Sequence, residues 1–489
     1  MRPFLLASSL LLLWACQPAP DHWVLHLPNV SSSSSPRPVD LNGDGVLDLV
    51  LGTGKDEFVA TDTGIIAVDG RDGSLLWWAP ARDQMVGSAT FLPIDGDAIP
   101  DIVIGGRAGE LQALSGKDGQ RLWSYYEDAA LDSLGDSTLL NFYIAQVVPD
   151  QNADGQPDLL VAQGGDATIP WYDSLRPVGY LRLLDSRTGA QLASAPMPDG
   201  KETFMSPLCV DLAGDGELSL LFGSGGEMYG GHFYRAPLAA LRAGDLSEAT
   251  VLARGDERGF IAPPVVVDLT HDGVLDIVVN AVDGRILAFD GQDNRPLWTV
   301  EVPGTEVYSS LAVGHFTGDS TPDLCTSFGV GIFPEIKHAI QLMVDGATGE
   351  LRYRDTLGYL QIGSPLAVDT DGDGQDEALM SSNWALQGAS NPYYSLYGVS
   401  NALLWLDFST GVSREVLGPF KGVNPAATPW LGDLDGDQQL DLVYLWISDT
   451  VNYRPFSGMK LVRQETVTPL RGAPAWGSYM GTRFDGRFP

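Results

Sequence analysis

The sequence predicts an all-β chain folded as a single eight-bladed β-propeller. Three observations carry this. An acidic loop of the form Asp-x-Asp-x-Asp-Gly-x-x-Asp recurs eight times, at intervals of 47 to 64 residues. That period suits one four-stranded blade. Short apolar, β-branched runs flank every loop, and a hairpin with an Asp-Gly or Thr-Gly turn follows most of them. A seven-bladed ring is the alternative count.

The most complete loop is Asp369-Thr370-Asp371-Gly372-Asp373-Gly374-Gln375-Asp376-Glu377. Carboxylates stand at loop positions 1, 3, 5 and 9, and Gly374 at position 6 permits the backbone to reverse. The Gln375 carbonyl completes an oxygen-only shell, which a hard cation such as calcium requires. The loop matches the first half of an EF-hand, but Met380 stands at position 12 and a strand follows. A second copy holds Asp433, Asp435, Asp437, Gln439 and Asp441 and lacks only the glycine. A third holds Asp40, Asn42, Asp44, Val46 and Asp48. A fourth holds Asp150, Asn152, Asp154, Gln156 and Asp158. A fifth holds Asp268, Thr270, Asp272, Val274 and Asp276, with Thr270 the weaker ligand. Three copies are eroded: Asp95, Asp97 and Asp101 behind Pro93; Asp211 and Asp215 with Ala213 and Ser219; Asp319 and Asp323 behind His315. A lone Asx-rich turn needs no metal. Five near-complete copies in matching context point to about five to eight bound calcium ions.

Each repeat divides into strands A to D. Strand A enters the loop, as in Ser364 to Val368, and strand B leaves it, as in Asp48 to Gly52. Strand C, Ile65 to Asp69, turns through Gly70-Arg71-Asp72-Gly73 into strand D, Ser74 to Trp78. The C–D hairpin recurs at Leu114 to Trp123, Leu183 to Leu192, Leu287 to Trp298, Met343 to Tyr353 and Trp405 to Val416. His22-Trp23-Val24-Leu25-His26-Leu27-Pro28 matches Leu297-Trp298-Thr299-Val300-Glu301-Val302-Pro303, the last strand of a blade, yet no blade precedes it. Residues 22–27 are therefore expected to complete the final blade beside Lys460 to Arg463, which removes both sheet edges. The propeller spans 21–472, and a tail of 473–489 packs on it.

The chain has 489 residues, 44% hydrophobic content and a formal net charge of −34. This excess acidity argues against nucleic acid and anionic lipid headgroups as partners. Residues 1–15 read as a signal peptide: a charged start, then an apolar run from Phe4 to Trp14 that is too short to span a bilayer. Leu13-Trp14-Ala15-Cys16 resembles the lipobox of bacterial lipoproteins, although Trp14 departs from its usual small residue. The resemblance implies a lipid on Cys16, a tether over 16–20 and, with Gln17 next, sorting to the outer membrane of the bacterial envelope. Ordinary secretory cleavage is the alternative.

The A–B loops look like the FG-GAP (VCBS-type) repeats of integrin-like propellers. The C–D hairpins, such as Ala67 to Trp77, are similar to blades of pyrroloquinoline-quinone enzymes. Ala475-Trp476-Gly477-Ser478-Tyr479-Met480-Gly481 resembles a segment near the ends of quinoprotein-like propellers. Those enzymes carry a vicinal cysteine pair. Here Cys209 and Cys325 fall on different blades and Cys16 is assigned to lipid, so no quinone is expected.

Strands alternate in direction, so the A–B and C–D turns share one face and the B–C and D–A connections share the other. The long B–C connections of repeats three, four, seven and eight carry Trp171, Tyr172, Tyr229, His232, Phe233, Tyr234, Trp384, Tyr393, Tyr394, Tyr397, Trp446 and Tyr453. Exposed aromatics among Gly, Ser and Asn suit recognition of sugars or peptides. Packing over the central channel is the alternative. The sequence has no phosphate-cradling glycine loop, His/Cys zinc spacing or Gly-x-Ser-x-Gly elbow. His232 with Tyr234 and Arg235 would suit a polysaccharide lyase, some of which are calcium-binding eight-bladed propellers. The expectation is a calcium-stabilised, lipid-anchored surface module that binds or adheres to a protein or glycan without catalysis. A carbohydrate lyase and a scaffold of an envelope complex are the alternatives.

Overall fold

A computed structural model of the chain describes all residues except 1–21, 126–138, 167, 171–172, 174, 334, 360 and 387–394. It contains eight antiparallel sheets, one per acidic loop. The innermost strands, A, are Arg37–Val39, Thr90–Leu92, Gln146–Val148, Leu208–Asp211, Val265–Val267, Ala312–Gly314, Leu366–Val368 and Trp430–Gly432. Blades three and six each gain a fifth strand, Leu140–Phe142 and Thr305–Glu306. Burial falls outward across each blade. Strand B of blade one, Asp48–Gly52, is buried throughout, whereas strand D, Leu75–Ala81, alternates. That alternation is what a half-exposed outermost strand requires. The helix Leu238–Arg242 replaces the C–D turn of blade four and buries Leu238 and Leu241 beside the last strand of blade three.

The ring closes through the N-terminus. His22–Leu27 pairs antiparallel with Met459–Pro469, in register from His22 opposite Gln464 to Leu27 opposite Met459. The final blade therefore takes three strands from the chain's end and its outermost strand from the start. Both sheet edges exposed by an open ring are removed.

Three hydrogen-bonded devices join neighbouring blades. Two residues before strand A, the backbone N–H of one blade donates to the hydroxyl at the same place in the next. Ser35 donates to Ser88, Ser310 to Ser364, Ser364 to Thr428, and Thr428 back to Ser35 across the closing seam. On the loop face, Leu47 N–H donates to the Leu434 carbonyl and Leu275 N–H to the Leu212 carbonyl. Further out, a tryptophan of strand D donates its indole N–H to the C–D turn of the following blade. Trp23 reaches Gly70 at 2.9 Å, Trp77 reaches Gly116, Trp123 reaches Ser186 and Trp298 reaches Gly346, each at 2.8 Å. At the junction of blades four and five, Arg235 serves instead, with its guanidinium 2.7 Å from the Gly291 carbonyl.

The C-terminal tail lies in the channel and touches the inner strands in turn. Trp476, fully buried, exchanges two backbone hydrogen bonds with Ala367 of blade seven, and Gly477 accepts from Leu431 of blade eight. Phe484 lies beneath Arg37 of blade one. Gly486 and Phe488 bond to Val266 of blade five, and the Phe488 ring meets His315 of blade six at 5.8 Å. One segment of about fifteen residues thus ties most of the circumference together.

These junctions yield a stability prediction. In urea unfolding, Trp77→Ala should cost about 3–5 kcal/mol, the range for truncating a buried aromatic. Gly116→Ala should cost about 1–3 kcal/mol or more, since its Cβ would stand 2.0 Å from the Pro100 carbonyl. Gly472→Ala, with nothing within 4 Å of its Cβ, should stay within about 0.5 kcal/mol of the parent.

Candidate functional site

The acidic loops divide into two kinds of carboxylate. Position 1 faces outward and caps its own loop. Asp150 accepts N–H groups from Ala153 at 2.6 Å and Gly155 at 2.8 Å, and Asp211 accepts the Gly214 and Gly216 N–H groups, both at 2.8 Å. Donation from Gly155 and from Gly216, respectively, leads the effects that hold these two carboxyls below the ordinary aspartate range. The loop can curl this way because positions 4 and 6 are left-handed. Gly372 and Gly374 have φ of 81° and 89°. In the eighth loop Gln438, which replaces the glycine, still adopts φ 69°.

Position 9 points inward and is buried. One oxygen of Asp48 accepts the Leu41 N–H at 2.9 Å and the other accepts the Gly70 N–H at 3.1 Å. Asp101, Asp276 and Asp323 repeat this with Gly116, Gly291 and Gly346. Desolvation pushes Asp48 up to about 6 and is also the leading effect that raises Asp158, Asp276, Asp323, Asp441 and Glu377. These groups were expected as ligands. In the structure Asp48, Asp101, Asp276 and Asp323 strut the A–B loop to the C–D turn, whereas Asp158 and Glu377 accept from their own loops and Asp441 from Leu434 and Arg463. The outward carboxylates at positions 1, 3 and 5 are the more available to an ion.

Loop seven fits a hard cation. Carboxylate oxygens of Asp369, Asp371 and Asp373 converge to within 4.8 Å of one another, and Asp433, Asp435 and Asp441 do the same in loop eight. Loop eight already holds a cation, however. The fully buried Arg463 guanidinium lies 2.7 Å from Asp435 and 2.8 Å from Asp441. In loop one, Arg71 sits 2.9 Å from Asp44. In loop five, Thr270 Oγ1 and one oxygen of Asp268 are buried without partners among the described residues. In the eroded loops, Asp95 and Asp97 cap neighbouring backbone N–H groups, as do Asp215 and Asp319.

The opposite face gathers the B–C connections, and here several expectations change. Tyr234 is not a face residue. It is 2% exposed and stacked on Phe222 at 5.2 Å, in strand C of blade four. Phe233 and Trp446 are likewise buried. Trp384 is half-buried and packs on the core of blades five to eight. Strands B and C run further into these connections than the pattern suggested, and the aromatics pair across them. His232 is half-buried, with its Nε2 3.2 Å from Arg254, while Arg235 turns away to blade five. The His, Tyr and Arg of this stretch thus do not converge on one cleft. Tyr229 is half-buried. Trp171, Tyr172, Tyr393 and Tyr394 lie outside the described residues, as does Cys16. Cys209 and Cys325 are free, on blades four and six.

Tyr453 and Tyr397 do come together. Their rings meet edge to face at 5.2 Å, beside a cavity of about 350 Å³ between blades seven and eight that Leu386, Lys421 and Asp449 also line. Nearer the axis, Glu57, Arg107, Asn383 and Phe456 line a second cavity of about 140 Å³. Cross-connection ion pairs ring this mouth: Arg107 with Glu57 at 2.6 Å, Arg176 with Glu202 at 2.8 Å, and Arg258 with Glu306 at 3.2 Å. Burial first, then Glu306 and Glu202, raises the Glu227 carboxyl among them. Pattern reading missed these charges because each sits alone in a different connection.

The internal cation of loop eight can be tested by removal. Without calcium, Arg463→Ala should cost about 3–5 kcal/mol, because two carboxylates lose their buried partner. Adding calcium should recover part of that loss in the variant, as the vacated loop gains its own cation, measured by urea unfolding with and without chelator.

Comparison with known proteins agrees with this architecture. A family model described as outer membrane protein assembly factor BamB matches residues 42–204. Protein FAM234A of Bos taurus is 33% identical over 138 residues, which cover 25% of this chain and 24% of that protein. The Mus musculus protein is 24% identical over 309 residues, covering 62% and 52%. The chain therefore spans from about a quarter to about half the length of these relatives. Among solved structures, a europium-containing methanol dehydrogenase superposes with TM-score 0.57 at 11% identity, covering 90% of this chain and 93% of that one. The quinohemoprotein alcohol dehydrogenase of Comamonas testosteroni gives 0.53 at 12% identity, covering 92% and 78%. The rhamnogalacturonan lyase YesW gives 0.50 at 16%, covering 94% and 76%. These likenesses concern the fold alone. The chain is an eight-bladed β-propeller, and its residues 42–204 are similar to repeats of the BamB type.

Proposed function

We propose that this chain is a non-catalytic binding propeller of the cell envelope, exported and held by a lipid on Cys16. Its B–C face takes a protein partner, and calcium in the loops of the opposite face stiffens the ring. The distribution of exposed apolar side chains carries this reading. Phe58, Leu175, Ile332, Leu386, Tyr397, Val451 and Tyr453 are 54%, 83%, 57%, 71%, 64%, 80% and 38% exposed. All seven belong to B–C connections and so share one face although they come from five blades, whereas the exposed Val24, Trp78, Val147, Leu192, Val412 and Val467 lie scattered on strands. A monomer gains nothing from apolar groups gathered on one side, and such patches mark interaction surfaces. The family description of residues 42–204 as an outer-membrane assembly factor supports the envelope setting. The fold likeness to a lyase supplies no catalytic group.

The paired tyrosines and Leu386 frame a cavity, as aromatic anchors do at other interfaces. Cross-linking in intact membranes tests the assignment. A photoreactive residue at Tyr397 should capture a partner that one at Asp97, on the loop face, does not. Tyr397→Ala with Tyr453→Ala should abolish capture by a probe at Val451 while the melting temperature moves by less than about 2 °C. Capture from Asp97 alone, or turnover of a polysaccharide by the purified chain, would overturn the reading.

Calcium and the anchor have separate tests. An ion that binds only the folded chain adds about 2.7 kcal/mol at 100 times its dissociation constant, so chelation should lower the melting temperature. Asp373→Ala should remove one ion by elemental analysis, from loop seven, where three carboxylates converge. Loop eight should bind most weakly of the five fuller copies, because Arg463 competes. Cys16→Ser should release the protein from membranes.

A further inference from the structure

The chemistry of the partner can be read from the cavity of about 350 Å³ between blades seven and eight. Its volume falls in the range of about 300–1,000 Å³ that ligand pockets occupy. The buried Leu396 and Val399 line it, together with the edge-to-face pair Tyr397 and Tyr453. Leu386, Tyr397 and Tyr453 are all exposed, so the groups that would hold a ligand are open to solvent. An apolar side chain seated here would cover apolar surface that the chain itself leaves bare.

The charges around the cavity set a second requirement. The connections 386–398, 422–429 and 28–36 carry no charged residue. Lys421 lines the cavity, and Arg454 follows Tyr453 in the chain. Both are exposed, and neither side chain has an ion pair or hydrogen bond among the described residues. Asp449 is also in the lining, but its carboxylate is committed to its own turn. It accepts the Val451 and Asn452 N–H groups at 3.0 and 2.8 Å and the Ser457 hydroxyl at 3.0 Å. Elsewhere on this face, Arg107, Arg176 and Arg258 each have a carboxylate. Two unpaired cations thus stand beside an apolar cavity, in a chain whose formal charge is −34. We propose that this cavity docks a segment of a partner protein in which an aromatic or aliphatic side chain is flanked by acidic ones. The apolar group packs on Tyr397 and Tyr453, and a carboxylate meets Lys421. The inference rests on the binding role proposed for this face and names the chemistry of what binds. The apolar anchor supplies most of the affinity, and the charges supply selection and encounter rate. The overall field of so acidic a chain favours basic ligands, so a preference for an acidic one identifies the local site.

Titration calorimetry on the full chain tests this with three capped peptides. One is Ser-Glu-Trp-Leu-Glu-Ser, the second has lysine in place of both glutamates, and the third has Ser-Ser in place of Trp-Leu. The first should bind saturably and at least about tenfold more tightly than either of the others. Lys421→Glu combined with Arg454→Glu should weaken it by about tenfold or more. The melting temperature of that variant should stay within about 2 °C of the parent, since both side chains are exposed. No saturable heat with the first peptide, equal or tighter binding of the lysine peptide, or unchanged affinity in the double variant overturns the proposal. Capture by a probe at Tyr397 in membranes, together with failure of the first peptide, overturns this inference alone. Peptide binding without capture overturns the partner reading alone.

Discussion

The ring depends on a buried carboxylate that meets one glycine. In blade one, Gly70 gives its N–H to Asp48 of its own loop and its carbonyl to Trp23 of the preceding blade. Gly116 and Gly346 do the same with Asp101 and Trp77, and with Asp323 and Trp298. The residue must be glycine because the chain passes too close for a side chain. A Cβ there would stand 1.9 to 2.0 Å from the carbonyl of Leu47, Pro100 or Pro322. Blade three shows a tolerated change. Ser186 replaces the glycine, and its hydroxyl turns the close approach to Pro157 into a hydrogen bond of 2.6 Å. Blade seven abandons the device at both ends. Glu377 replaces the aspartate, Phe408 replaces the glycine, and Tyr353 of blade six meets the Phe408 ring at 5.1 Å.

This arrangement separates the two faces by role. On the loop face, the inward carboxylates are committed to backbone donors, and the tail fills the channel behind them. Substitutions there strain the ring itself. On the other face, ion pairs tie the connections to one another: Arg107 with Glu57 is half-exposed and contributes little, whereas Arg176 with Glu202 and Arg258 with Glu306 are largely buried, so that removing one partner would be costly. The apolar residues of these connections can vary without loosening the blades. A scaffold of this kind can carry different activities, since a fold does not determine the function grafted on it.

Much of the fold was legible because it repeats. Eight Asp-rich loops set the blade count, and Trp23 in its matching context with Trp298 exposed the N-terminal segment as a stray outermost strand. The same tryptophans escaped notice as joints, since their acceptors are backbone carbonyls 39 to 63 residues away. Position 9 has a second role that escaped notice for a related reason. A carboxylate that ligates metal and one that braces a turn look alike in sequence, and the backbone donors that Asp48 and Asp276 accept from come from 15 to 22 residues away. Arg463 was invisible as a rival cation because it stands 28 residues from Asp435. Tyr234 looked like a loop aromatic because glycines precede it. Gly230 and Gly231 instead let strands pack closely, each with backbone atoms of a neighbouring segment within 2.5 Å of where a Cβ would lie.

Buried carboxylates brace the ring through backbone donors, and we propose that the outward carboxylates take the calcium ion. Hydrogen exchange resolved to single amides, with and without chelator, addresses this division directly. The account predicts that the N–H groups of Gly70, Gly116, Gly291 and Gly346 stay protected when calcium is removed, while those of Gly372 and Gly374 in loop seven become exchangeable. Loss of protection at both sets together would contradict it, because the braces would then depend on the metal.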